Sequence, residues 1–410
     1  MRTWLVPRAE LLPDQLRAIE LEPTEHRLIA GPPGSGKTQV LLHRAAYLRE
    51  RLHSDSGRFR IFVFTNSLKR YIRSALHLLD LPESCVWGFD AWCVGFYRRR
   101  ISPVLPEQGD EDGTPDFAAI RAAVAERVRA EGSRAKLYDF VMVDEGQDLD
   151  ASAFAIVTAI AGHVTVCTDA KQQIYDGGSD EAEIARGLGI RRRNIALLEA
   201  FRCSPYIAEL AAEFVPDAEE RAGYLRQVRT EQSEREQPVV LVGLEPPDEL
   251  AFLEDALRTR LARSERVGIL VPKRRVMAEI AAALRGRGIE VETPERMDFA
   301  GDRPKVMPYH SAKGITLDSV LLPGLQTENF RRYTPARVER LLFVAITRAQ
   351  AWAGLSTVVE DTQVFAPLQR LLAPRRGRHW AVQDVRAIPP VYGAASPPPA
   401  PPEDDLTSLL

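Results

Sequence analysis

Gly31-Pro32-Pro33-Gly34-Ser35-Gly36-Lys37-Thr38 follows an apolar tetrapeptide, Arg27-Leu28-Ile29-Ala30, and opens a run of helical period that begins Gln39-Val40-Leu41-Leu42. A glycine-rich loop between a strand and a helix lets main-chain N–H groups converge on phosphate oxygens, and the helix N-terminus adds positive potential. In that frame Gly31, Pro32, Pro33, Gly34, Ser35 and Gly36 form the cradle, Lys37 reaches the β- and γ-phosphates, and the Thr38 hydroxyl holds Mg²⁺. Downstream, the apolar run Tyr138-Asp139-Phe140-Val141-Met142-Val143 ends in Asp144-Glu145. Ligands in parallel α/β folds sit at the carboxyl ends of strands. Asp144 is therefore expected to join Thr38 around the metal, and Glu145 to accept a proton from an attacking water. The chemistry these residues suit is hydrolysis of a nucleoside triphosphate.

Short β-branched runs alternate with longer stretches of helical period, the pattern of parallel sheets with crossover helices. Strands are expected at Arg27–Ala30, Arg60–Thr65, Asp139–Val143 and His163–Cys167, then at Pro238–Val242, Val267–Val271, Lys305–Met307 and Ser319–Leu322. Helices are expected between them, at Leu68–Leu79, Ala118–Ala130, Glu249–Leu261 and Arg275–Arg285. Two α/β layers of similar size fit this spacing, with a seam near Asn194–Glu199 that divides residues 1–196 from 197–375. Residues 376–410 run into a proline-rich stretch that suits neither helix nor sheet and read as a disordered tail. Its tip, Glu403 to Leu410, mixes acids with leucines: a partner groove could take it, or it is a solvated end. Pro103–Asp116 reads as an acidic surface loop.

The chain has 410 residues with 54 Lys+Arg against 57 Asp+Glu, a net charge of -3 that excludes a histone-like polybasic binder. Only seven of the cations are Lys. Clusters at Arg98–Arg100, Arg191–Arg193, Arg331-Arg332 and Arg375–Arg378 could track a phosphate backbone or be ordinary solvated surface. Cys85, Cys93, Cys167 and Cys203 show no zinc or disulfide spacing, which suits buried thiols in a reducing, cytoplasmic setting. Charges at Arg8 and Glu10 interrupt the N-terminus before an apolar run can form, so neither a signal peptide nor a membrane span is expected.

Val143-Asp144-Glu145-Gly146-Gln147-Asp148 resembles the D-E-x-Q-D motif of the UvrD/Rep-like superfamily-one helicases, and other blocks follow in that family's order. Gln15, in Leu12-Pro13-Asp14-Gln15, looks like the adenine-reading glutamine that precedes the phosphate loop. Phe64-Thr65-Asn66-Ser67 resembles the first single-strand contact block, and Val86-Trp87-Gly88-Phe89-Asp90-Ala91-Trp92 resembles a later one that brings in Phe89. Asp169 to Tyr175 is similar to the third motif, in which the residue matching Gln172 senses the γ-phosphate. Arg202, in Ala200-Phe201-Arg202-Cys203-Ser204, resembles the first of two arginines that close on the nucleotide. His310-Ser311-Ala312-Lys313-Gly314 resembles the fifth motif, and Phe343 to Ala349 the sixth, which makes Arg348 the second closing arginine.

The resemblance spans about four fifths of the chain, from Gln15 to Arg348. It implies an α/β fold of two RecA-like P-loop domains with parallel sheets and ATP in the cleft between them. It also implies ATP and Mg²⁺ as ligands, single-stranded DNA as partner, and translocation or unwinding from 3′ to 5′. The physical logic stands apart from the family. Phosphoryl transfer needs positive charge on the departing γ-phosphoryl group, and arginines from a second domain supply it only when the cleft is shut. Hydrolysis is thereby tied to domain closure.

Several positions depart from the family pattern. Its large helical inserts would fall at 100–136, which holds one helix and the acidic loop, and between Ile289 and Lys305, which is too short for a domain. Gly88 stands for Thr, Asp90 for His, and Pro308 for a phosphate-contacting Thr. After Tyr175, where a stacking aromatic is usual, come Asp176-Gly177-Gly178; Tyr175 itself, Tyr309, Trp87 or Phe89 would have to replace it. Thr316 replaces a ribose-contacting Glu. Two functions are thus left open: a motor that moves along or unwinds DNA, and a DNA-stimulated ATPase switch serving a repair or phage-defence nuclease complex. A P-loop kinase or GTPase would need neither Gln172 nor the late arginine block.

Overall fold

The computed structural model describes residues 3–107, 114–169, 179–191, 195–197, 204–228, 236–243, 245–358, 366–372 and 379–384. Twelve strands among these residues form two six-stranded sheets, and every strand pairing is parallel. The first sheet holds β1 (Arg27–Ala30), β2 (Phe59–Val63), β3 (Val86–Gly88), β4 (Tyr138–Val143), β5 (Ala161–Thr168) and β6 (Ile195–Leu197), in the order β3-β2-β4-β5-β1-β6. The second holds β7 (Val239–Gly243), β8 (Val267–Val271), β9 (Lys305–Pro308), β10 (Leu317–Leu322), β11 (Ala349–Val358) and β12 (Ala381–Asp384), ordered β12-β7-β11-β10-β8-β9. The expected α/β class with two parallel sheets is what the chain adopts.

Parallel strands joined by helices need cover on both faces, which explains their continuous apolar runs. Val267–Val271 is buried at every position, and β4 from Phe140 onward. One apolar cluster runs from Trp4, Ile19 and Val40 in the first lobe through Leu317, Leu342 and Phe343 in the second. The two lobes therefore share a core at their junction.

Some expectations needed revision. The helix expected over Leu68–Leu79 ends at Arg73, and a separate 3₁₀ turn covers Leu76–Leu79. Residues 376–410 were expected to be tail throughout, but Ala381–Asp384 adds an edge strand beside β7. That strand comes just before the proline-rich stretch, so composition further along says nothing about it. The expected insert at 100–136 contains the helix Phe117–Glu131. Between Arg287 and Pro304 lie only turns and one bridge, Glu292 with Lys305.

Candidate functional site

The strands of the first sheet all run parallel, and β1, β4 and β5 deliver their carboxyl ends to one edge beside the glycine-rich loop. β1 runs into the glycine-rich loop, and the helix Lys37–Arg51 starts at its end. Gly36 caps that helix at φ 80°, a left-handed conformation that favours glycine. A Cβ there would also clash with Gln15 Nε2. Gln15 is fully buried: its Nε2 donates to the Ser35 carbonyl at 2.9 Å, and its Oε1 accepts from Leu12 N at 3.1 Å. Its amide thus braces the loop from behind.

Lys37 Nζ donates to the carbonyls of Gly31 (2.7 Å) and Pro32 (3.0 Å) and to Asp169 Oδ2 at the end of β5 (3.2 Å). Thr38 Oγ1 donates to Asp144 Oδ2 at 2.8 Å, which joins the loop to the end of β4. Burial and the adjacent Glu145 push the Asp144 carboxyl up to about 7. Mg²⁺ takes hard oxygen donors, commonly one or two carboxylates with substrate phosphates and water. A hydroxyl and a crowded carboxylate in contact fit that ion.

Glu145 sits at φ 54°, a strained backbone conformation for a residue with a side chain. Gln147 Nε2 donates to Glu145 Oε2 at 2.6 Å, while Gln147 Oε1 accepts from Thr168 Oγ1 and Asp169 N. The glutamine ties the end of β4 to the end of β5 and fixes the acid between them. Burial pushes the Glu145 carboxyl up, but Lys313, Lys37 and Arg348 outweigh it and hold the acid below the usual carboxylate range.

Two of those cations come from the second lobe. Lys313 Nζ donates to both oxygens of Asp148 at 2.7 Å and lies 3.8 Å from Glu145 Oε2, with all three side chains buried. The adjoining Gly314 has φ 76°, and a Cβ on it would stand 2.9 Å from Leu68 and 3.4 Å from Glu145 Oε1. Only glycine lets that loop approach so closely. Arg348 follows the helix Pro335–Ile346; its Nε donates to the Val344 carbonyl at 2.9 Å and its Nη2 to Thr347 Oγ1 at 3.3 Å. Arg348, Thr316 and Gly314 border one cleft together with Lys37, Thr38, Glu145 and the loop glycines Gly34 and Gly36.

The expected site residues are therefore only partly brought together. Lys37, Thr38, Asp144, Glu145, Thr316 and Arg348 converge, whereas Gln172, Tyr175 and Arg202 lie outside the described residues. Among the expected strand contacts, Asn66 and His310 are exposed and Phe64 is half-buried. Thr65 Oγ1 accepts from Leu68 N and caps the helix Asn66–Arg73. Phe89 is 1% exposed and packs edge-on against Phe62, so its ring faces the core rather than a strand; the apolar face of its helix takes it there. Tyr309 is likewise buried, while Trp87 is 39% exposed with Lys69 Nζ 5.9 Å above its ring. Sequence reasoning gave no role to Gln147, Asp148 or Lys313, although all three stand inside quoted motifs. Trp4 and Tyr71, buried and stacked on each other at a ring-centroid distance of 4.0 Å, stand at the wall of the same cleft.

An AAA domain family matches residues 15–178, the stretch from the bracing glutamine past the end of β5. No curated protein matches the chain. Among solved structures, the C-terminal domain of a possible DNA helicase from Lactobacillus plantarum WCFS1 is similar at 19% identity, over 45% of this chain and 98% of that one, with a TM-score of 0.34.

Proposed function

We propose that the chain is an ATP-dependent nucleic-acid motor of the superfamily-one helicase type, with Mg²⁺-ATP hydrolysed to ADP and phosphate between its two lobes. The observation that carries this reading is the position of Arg348: a cation from the second lobe borders the same cleft as Lys37, Thr38 and Glu145 of the first. Lys37 exchanges its loop carbonyls for β- and γ-phosphate oxygens. Thr38 and Asp144 would hold Mg²⁺, whose charge would offset that of the phosphates. Glu145, oriented by Gln147, accepts the proton of the attacking water, and Arg348 meets the charge that builds on the γ-phosphoryl group. Gln172 and Arg202 join this set by resemblance alone.

Because Arg348 and Glu145 belong to different lobes, turnover depends on how the lobes meet, and alternating closure can advance a bound strand. Single-stranded DNA with 3′-to-5′ movement is the partner the motif order supports. Phe64, Thr65, Asn66 and His310 are assigned to its path, and the exposed Trp87 takes over the base platform that the buried Phe89 and Tyr309 do not offer. A second reading, a DNA-stimulated switch within a nuclease complex, is favoured by the absence of any helix between Arg287 and Pro304, where the family carries an inserted domain.

ATPase rate with and without single-stranded DNA across a salt series tests the motor reading. The expected result is stimulation that falls as salt rises. Hydrolysis indifferent to DNA at every salt concentration would sink it. A forked fluorescent duplex then separates the two readings, since unwinding by this chain alone excludes the switch.

A further inference from the structure

A groove of about 490 Å³ lies in the second lobe between the helices Thr327–Phe330, Pro335–Ile346 and Ala366–Leu372. Among the described residues its lining is mainly apolar, with Phe330, Tyr333, Pro335, Val338 and Pro367 in it. Such a surface gains free energy when an apolar partner covers it.

One end of the groove is strongly basic. Lys273, Arg275, Arg331 and Arg332 gather about the helix Thr327–Phe330: Lys273 Nζ donates to the Glu328 carbonyl at 2.8 Å, Arg331 pairs with Glu328 at 2.9 Å, and Arg275 pairs with Glu279 at 3.6 Å. Burial first, and then the neighbouring Arg275, Arg332 and Arg331, lower the pKa of Lys273. The Arg331 side chain is 72% exposed, and Arg332 is exposed as well. These four cations outnumber the two carboxylates that pair with them, so the rim favours an acidic ligand.

The chain itself carries a segment of matching chemistry, Glu403-Asp404-Asp405-Leu406-Thr407-Ser408-Leu409-Leu410. Three acids precede three leucines whose i, i+3, i+4 spacing puts them on one face of a helical turn, the pattern by which helices fill apolar grooves. Reach is ample. Asp384 ends β12 at the carboxyl edge of the second sheet, three strand spacings or about 14 Å from β10, whose carboxyl end leads toward the helix Thr327–Phe330. Residues 385–410 follow Asp384; a polyproline stretch covers ~3.1 Å per residue, and Gly393 between the proline runs permits a turn.

We propose that residues 403–410 dock in this groove of their own chain, with the leucines against Phe330, Tyr333 and Val338 and the acids against Arg331 and Arg332. The docked segment lies on the first turns of the helix that leads to Arg348, and is thus an internal ligand of the second lobe.

Hydrogen–deuterium exchange of the full chain, read by mass spectrometry, tests this. A tether of this kind gives an effective concentration on the order of 1 mM, so a contact with an intrinsic Kd of about 0.1 mM slows amide exchange over 406–410 about tenfold. Leu406→Asp combined with Leu409→Asp is expected to abolish that protection and to speed exchange over 327–340. Arg331→Glu with Arg332→Glu is expected to do the same, and adding Asp404→Arg with Asp405→Arg to restore protection, which a folding defect would not allow. Tail amides that exchange alike in the parental chain and the leucine variant overturn the proposal. So does protection that appears only as protein concentration rises, which assigns the groove to a second copy. An unprotected tail beside groove amides that single-stranded DNA protects also overturns it, and assigns the basic end to nucleic acid.

Discussion

Removing Lys313 is expected to harm the protein more than neutralising the acid it binds. At 2.7 Å and an effective dielectric constant near 20, the Lys313–Asp148 attraction is worth about 6 kcal/mol before desolvation is counted. Desolvation is large here: despite Lys313, burial raises the Asp148 carboxyl to about 6. A carboxyl whose folded value lies above its ordinary 3.8 costs stability when ionised, so the neutral Asn in Asp148→Asn relieves part of the penalty. Lys313 still has Glu145 at 3.8 Å in that variant. In Lys313→Met, by contrast, two buried carboxylates lose the cation between them, a situation that typically costs about 3–5 kcal/mol. Urea unfolding without nucleotide, followed by tryptophan fluorescence, is expected to show a loss of roughly that size for Lys313→Met and about 1–2 kcal/mol for Asp148→Asn. The reverse order, or a loss below about 1 kcal/mol for Lys313→Met, would refute the view that this pair pins the lobes together.

Three further outcomes are expected. Lys37→Ala and Glu145→Gln should each abolish steady-state hydrolysis, with Glu145→Gln still binding ATP; parental turnover in Glu145→Gln would remove Glu145 from the role of base. Acid should weaken the fold through His163, whose Nε2 accepts from the fully buried Arg44 at 3.2 Å and whose pKa burial, together with Arg44, holds at about 2. The unfolded chain takes up a proton below about pH 6.5 and the folded one does not, so this group removes stability as pH falls, about 2 kcal/mol between pH 7 and 5. His163→Gln, which keeps an acceptor for Arg44, should flatten the dependence measured by denaturant titration; an unchanged slope would contradict the assignment.

The parts of the site that were legible in the sequence are those written as contiguous words. Gly31 to Thr38 encodes strand, loop and helix together, and Asp144-Glu145 at the end of an apolar run encodes its own place on the sheet edge. Longer-range parts were not legible. Lys313 and Asp148 are 165 residues apart, and no local pattern announces that they meet. Trp4 meets Gln39, Ser74 and Tyr71, each brought to it only by folding. β11 escaped because a strand at the centre of a parallel sheet is buried on both faces and shows no alternation; seven consecutive residues from Trp352 are buried. Phe89 is buried where the motif order suggests a strand contact, because a motif letter does not say which face of a helix it occupies.

The claim on which the rest depends is that a cation of the second lobe completes the hydrolytic site of the first. Single-turnover hydrolysis and equilibrium ATP binding, measured side by side on Arg348→Ala, test it most directly. The expected result is a chemical step slower by roughly 10³-fold or more with ATP affinity nearly unchanged, as for other arginines that act on the transferring phosphoryl group. Equal losses of rate and affinity, or hydrolysis at the parental rate, would contradict it.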